Sequence, residues 1–286
     1  MSDQILIQIC SFLSGVWKVV NSNFVIAFIG GLTGAFGGAL GAQRIVERSK
    51  NREELLRELR NTNAAIMVSF TIATTVLALK KQHIQPMRDN FAAEKENLRK
   101  FQEESSHQPF QEKRQFRITA DFVSFPAPIT PIETLQELLF HKISAHGRPL
   151  ALAAVLEQSL VGLKDSISKR DALAQKFDNG EISSQLIAQR YLGLPLPNGD
   201  INREYPDLVE AINSYSDDII FFSTLLCADL VEHGQRIHQK FTKKFGKNAP
   251  NVSTADFSSP RKDGLIPSES QYNLWLHGFK EQKVRK

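Results

Sequence analysis

Residues 24–42 read FVIAFIGGLTGAFGGALGA, nineteen consecutive residues without a charge, bounded by Asn23 and Gln43. As an α-helix this stretch covers about 28 Å, close to the roughly 30 Å hydrocarbon layer of a bilayer. The sequence therefore predicts a transmembrane helix over 23–43 that anchors a mainly α-helical remainder. Inside it Gly30, Gly34, Gly38 and Ala42 recur every four residues, beside a second row of Ala27, Gly31, Ala35 and Ala39. Small residues at this spacing let two backbones approach closely in lipid, where packing replaces the hydrophobic drive. Self-association of the span, hence a homo-oligomer, is the expectation.

Charge sets the orientation. Arg44, Arg48, Lys50 and Arg52 follow the span directly, whereas Lys18 alone precedes it. The positive-inside rule then places the bulk of the chain in the cytoplasm, as a single-pass protein of the cell (inner) membrane. Residues 1–22 carry an apolar run, Ile5 to Val20, broken by Gln8, Ser11, Ser14 and Lys18. It reads as an interfacial helix, with a short first span as the alternative. A second uncharged run, Ala64 to Leu79, is sixteen residues long and closes on Lys80 and Lys81. It falls below the usual eighteen and reads as a buried helix of the soluble part rather than a second span.

Beyond the membrane the pattern is helical throughout. Mixed charges with Leu55, Leu56 and Leu59 on one stripe continue the helix, so residues 44–104 read as juxtamembrane and bundle helices. Residues 105–130 are polar and then proline-rich, an irregular connection. Thr130-Pro131-Ile132-Glu133 has the form of a capping box and opens a helix expected to stop near Gly147. Leu156, Leu160, Leu163, Ile167, Ala174 and Phe177 follow a 3.5-residue rhythm up to Asn179-Gly180. A shorter helix over Ile182–Leu192 leads to a loop with Pro195, Pro197 and Asn198-Gly199. From Pro206 the apolar seam Leu208, Ile212, Tyr215, Ile219, Phe222, Leu226, Leu230, His233, Ile237, Phe241 and Phe245 implies roughly forty residues of helix, about 60 Å. Segment 131–246 is thus expected to be an antiparallel helical bundle. Residues 247–286 form a linker and a basic docking segment with an apolar patch of Tyr272, Leu274, Trp275, Leu276 and Phe279.

From Arg236 onward there are eleven Lys or Arg against four Asp or Glu. Beside a membrane such a tail lies near anionic headgroups. Nucleic acid is the weaker partner class, because no aromatic interleaving or finger spacing accompanies the charge. Cys10 and Cys227 fall on opposite sides of the proposed span, so no disulfide framework follows, and neither sits in a CxxC pair.

Signatures of chemistry are thin. There is no phosphate-binding glycine loop, and the Gly30/Gly34/Gly38 spacing lies inside the span rather than after a strand. No GxSxG is present. Glu137/His141 and Asp229/His233 each put a carboxylate and an imidazole on one helix face, at four-residue rather than the three-residue spacing of di-iron bundles. Of Asp217-Asp218, one reads as facing solvent beside the Ile219 seam. No catalytic, cofactor or metal residues are assigned. The expected function is a membrane-anchored interaction module, a scaffold, adaptor or sensor with lipid and protein partners. A pore-forming or membrane-perturbing effector is the first alternative, and an enzyme of unrecognised type the second.

Overall fold

The computed structural model describes residues 23–107, 116–120, 122–246 and 248–279. The expected interfacial helix over 1–22, with Cys10, lies outside the described residues. Among those described the chain is mainly helical and has no strand, only an isolated bridge between Pro195 and Ile201. It divides into two compact units, Met1–Leu56 and Arg57–Lys286.

Helix α1, Asn23–Leu79, runs for 57 residues and includes the stretch expected to span a membrane. Every described residue from Gly34 to Glu54 is exposed. The helical stretch Gly34–Ser105 contains one helix long and apolar enough to cross a membrane, with a window of mean hydropathy 1.7 that is half buried. Half-burial assigns that window to the region of Ala64–Leu79, since the described residues before Leu55 are all exposed. There Ala65, Ile66, Ile72, Ala73, Val76 and Leu77 are buried while Met67 faces outward. This is the one-sided burial of a core helix, made by spacings of three and four.

Pro86 has no N–H to close the helical ladder. The chain accommodates it with a π-turn, Lys80–Ile84, before α2, Gln85–His107, which carries helix a little beyond the expected limit at 104. Helix α3 spans Ile132–Glu137 and ends in a second π-turn, Leu138–Lys142. Two expectations are corrected here. Pro131 is the N-cap, and the Thr130 hydroxyl is buried without a hydrogen-bond partner, so the capping box is not formed. The helix also stops before Ile143, which is extended at φ −125°, and Gly147 at φ +71° opens the next helix instead of closing this one.

Helix α4, Arg148–Asp178, follows the expected rhythm and buries Leu152, Leu156, Leu160, Leu163, Ile167, Ala174 and Phe177. Helix α5, Ser184–Leu192, closes on Gly193 in the left-handed region, which favours glycine. Helix α6, Glu204–Phe245, is 42 residues long and packs along α4. Gly162 sets how closely they approach: a Cβ there would lie 2.5 Å from the Tyr215 ring. Ser69, Ser216 and Ser223 are fully buried and return their hydroxyls to backbone carbonyls, Ser69 to that of Ser223 at 3.3 Å. Such small residues keep polar atoms satisfied while helices pack tightly.

The remaining chain is draped over α6. Helix α7 is Ser258–Lys262, a 3-10 turn covers Glu269–Tyr272, and α8 is Asn273–His277. The Asn63 side chain clasps the start of this strap, donating to the Asn251 carbonyl at 2.8 Å and accepting from the Ser253 N–H at 2.9 Å. Further on, Leu265 is buried and its carbonyl accepts from Lys80 Nζ at 3.2 Å.

Candidate functional site

The residues singled out in the span divide by position. A Cβ built on Gly31, Gly34, Gly37, Gly38 or Gly41 would meet nothing within 4 Å. Ala42 is exposed, as are Arg44, Arg48, Lys50 and Arg52. The surroundings of Gly30 lie outside the described residues. Phe36 and Leu40 stand 68% and 59% exposed on the same helix.

One polar arrangement in the second unit is not revealed by sequence inspection. Glu58, on α1, is brought to Ser144 and His233. Its Oε1 accepts from the Ser144 N–H at 3.2 Å and from the Ser144 hydroxyl, and pairs with His233 Nε2 at 3.1 Å. One turn earlier on α6, Asp229 receives one guanidinium edge of Arg148, Nε donating to Oδ2 at 2.8 Å and Nη2 to Oδ1. Asn61 donates to the Lys142 carbonyl at 3.1 Å. The 143–148 connection is therefore stapled to α1 and to α6 at once. His146, Arg148, Asp229, Glu232, His233 and Arg236 line part of an adjacent cleft of about 930 Å³.

The hydrogen bond from His233 holds the Glu58 carboxyl down at about 2, with Ser144 adding to the effect and burial opposing it. Chemically, one carboxylate oxygen takes both the serine and the imidazole. In a serine-nucleophile arrangement the imidazole stands between the other two and accepts the hydroxyl proton. Here the Glu58 carboxylate stands between the other two and accepts from both, and the cluster orients the loop that carries Ser144.

A pH dependence follows. The Glu58 pKa falls from 4.5 to about 2, so its stabilisation is fully present above pH 4.5 and is lost as pH drops toward 2. The shift corresponds to at most about 3 kcal/mol. Glu58→Gln is expected to flatten the denaturant-unfolding stability profile across that acid window. A Gln variant as acid-sensitive as the parent would remove Glu58 from the account.

The other candidates are accounted for structurally. Asp229 and His233 turn to separate partners, Arg148 and Glu58, rather than converging. His141 is exposed, and Glu137 pairs with Lys142 at 3.7 Å. Asp217 pairs with the buried Lys80, and Asp218 accepts from the Tyr272 hydroxyl at 2.9 Å, its pKa raised by burial. Cys227 is buried, which pushes its thiol up to about 11, away from reactive thiolate. Among the described residues no group of three or more His, Cys, Asp or Glu is placed to hold a metal ion.

The described residues define a mainly helical protein, and among them one helix is long and apolar enough to cross a membrane. No family model matches the chain, and no match to it is found among the curated proteins or the solved structures.

Proposed function

We propose that this chain is a membrane-anchored interaction module: a single span over Phe24–Ala42 self-associates through its glycine rows, and an antiparallel helical bundle on the cytoplasmic side receives a protein partner. The observation that carries it is the exposed, uncharged, glycine-rich face of α1 from Gly34 to Ala42. In water, each interior glycine costs a helix about 1 kcal/mol relative to alanine. In a bilayer every backbone group must be bonded within the helix, so the same sequence stays helical, and its missing side chains become a packing surface. The basic residues Arg44, Arg48, Lys50 and Arg52 suit the headgroups of the cytoplasmic leaflet.

Membrane anchoring is tested by washing membranes from expressing cells at alkaline pH. The full chain is expected in the pellet, and release into the wash would contradict the span. Orientation needs an exposed reporter, because Cys227 is buried. Glu181 is exposed, so Glu181→Cys in a Cys10→Ser background serves. An impermeant maleimide is expected to label it only after permeabilisation; labelling on intact cells would reverse the orientation.

A further inference from the structure

The C-terminal strap covers one face of α6 without filling it. Glu269 of the strap lines two clefts, one of about 780 Å³ and the one of about 930 Å³ beside His233, and Phe221, Leu225 and Glu232 of α6 line both. On α6 the lining continues to Gln235 in the first and Arg236 in the second, so the groove follows the helix for about sixteen residues, roughly 24 Å. Permanently packed surfaces interdigitate and leave few voids larger than a water molecule. Here open space remains beside the cover.

The hold of the strap on α6 is local. Tyr272 stacks on Phe221 with ring centroids 3.8 Å apart and planes 5° from parallel, and its hydroxyl donates to Asp218. Trp275 packs on Phe222 at 4.8 Å, while Leu274 between them is 93% exposed. Among the described residues from 248 to 279, Leu265 alone is buried. The helical pieces of the strap are four or five residues long, too short to hold their shape without outside contacts. Segments with so few buried contacts open locally at a fraction of the free energy of global unfolding. Lifting the strap would uncover two adjacent phenylalanines and a carboxylate in one groove.

We infer that the face of α6 from Asp218 to Arg236 is a protein-docking groove, which the strap occupies in cis and which an amphipathic helix of a partner takes when the strap lifts. The strap is the template for that helix. It presents two aromatic residues three positions apart, neighbours on one helix face, that meet Phe221 and Phe222, and the first carries a donor for Asp218. A partner helix of about four turns would fill both clefts as well, in the manner of amphipathic helices that lie in apolar grooves. Resting on the protein partner proposed above, the groove gives that partner its place and makes its capture compete with the strap.

A dye-labelled peptide of residues 265–279 stands in for the partner helix and is titrated against the full chain in neutral lipid nanodiscs, with empty discs as the blank. For an occluded groove the apparent dissociation constant is the intrinsic one divided by the open fraction. Tyr272→Ala with Trp275→Ala in the chain is expected to tighten peptide binding at least tenfold over wild type. In that background Asp218→Ala should weaken binding about tenfold, and a Tyr272→Phe peptide should be insensitive to Asp218→Ala. Hydrogen exchange reads strap opening in the unaltered chain. The Leu265 and Gly278 N–H groups bond the Pro260 and Trp275 carbonyls at 3.0 and 3.1 Å, yet should exchange at least a hundredfold faster than those of Ile219 to Leu230. Equal peptide affinity in the two chains, no binding to the double variant, or strap amides as protected as those of α6 would each overturn the inference. Ala228 is exposed and lines the smaller cleft. Ala228→Trp should therefore strip the second protein from the native particle, and retention of that protein would place its contact elsewhere and overturn the groove as its site. A native particle with no second protein, alongside competitive peptide binding, would contradict the proposed partner and leave the groove to the strap of a second copy.

Discussion

Replacing Arg170 with alanine is expected to lower the unfolding free energy by about 3–5 kcal/mol and the melting temperature by on the order of 10 °C. Its side chain is 1% exposed. Nη1 donates to the Val123 carbonyl at 2.6 Å and to Asp171 at 2.9 Å, and Nη2 reaches the Tyr205 hydroxyl at 3.4 Å. The guanidinium lies 5.5 Å from the centre of the Phe125 ring and 5.9 Å from that of Tyr205. Burial opposes the charge, but Tyr205 and Asp171 outweigh it and raise the pKa. Truncation would remove the guanidinium donors to the Val123 carbonyl and the Asp171 carboxylate and open a void beside Phe91, Phe122, Phe177, Tyr191 and Tyr205, rings that contact one another at 4.5–6.1 Å. Arg170→Met keeps most of the volume and isolates the polar part of the loss. Thermal and denaturant unfolding of both variants checks this; a change below about 1 kcal/mol for Arg170→Ala would mean the cluster does not organise the core.

Arg170 also shows where sequence reading stops. The rhythm Leu156, Leu160, Leu163, Ile167, Ala174, Phe177 passes through position 170, three residues after Ile167 and four before Ala174. Periodicity thus places Arg170 on the buried seam, yet its charge and its neighbours Lys169 and Asp171 make it resemble a solvent-facing residue. Beside the adjacent Asp171, its burial is offset by Val123 and Tyr205, partners 47 and 35 positions away. Glu58 was hidden for the same reason: one acid among many on α1, distinguished by Ser144 and His233, 86 and 175 positions along the chain. The seam of α6, by contrast, was legible because one face of a long helix repeats its pattern many times. Of its residues Leu208, Tyr215 and Phe245 are half-buried and the others buried, while Ser216 and Ser223, which are not on it, take fully buried places. A serine that bonds its own helix carries no apolar signal, so hydrophobic periodicity skips it. The apolar patch near the C-terminus was recognisable as a docking element, but the outward turn of Leu274 depends on the ring stack beside it.

The second large effect concerns the glycine rows. Gly34→Leu with Gly38→Leu puts two isobutyl groups on the face where backbones are proposed to meet. Each overpacked contact costs about 1–3 kcal/mol. The pair should weaken self-association at least tenfold while leaving the second unit intact, because neither position meets anything within 4 Å in the chain. Energy transfer between labelled copies, diluted stepwise in lipid, measures this. Unchanged transfer would remove these glycines from the contact. Loss of ion leakage in the same variant, where the parent leaks, would instead favour the pore-forming alternative.

Most direct is the native mass of the intact particle extracted in mild detergent at its natural expression level. A particle holding two or more copies of the 32.2 kDa chain together with a stoichiometric second protein is expected. In the Gly34→Leu/Gly38→Leu variant the copy number should fall to one. A homo-oligomer with no second protein would favour the membrane-active alternative. A wild-type particle containing a single chain and nothing else would rule out both the self-associating span and the bound partner.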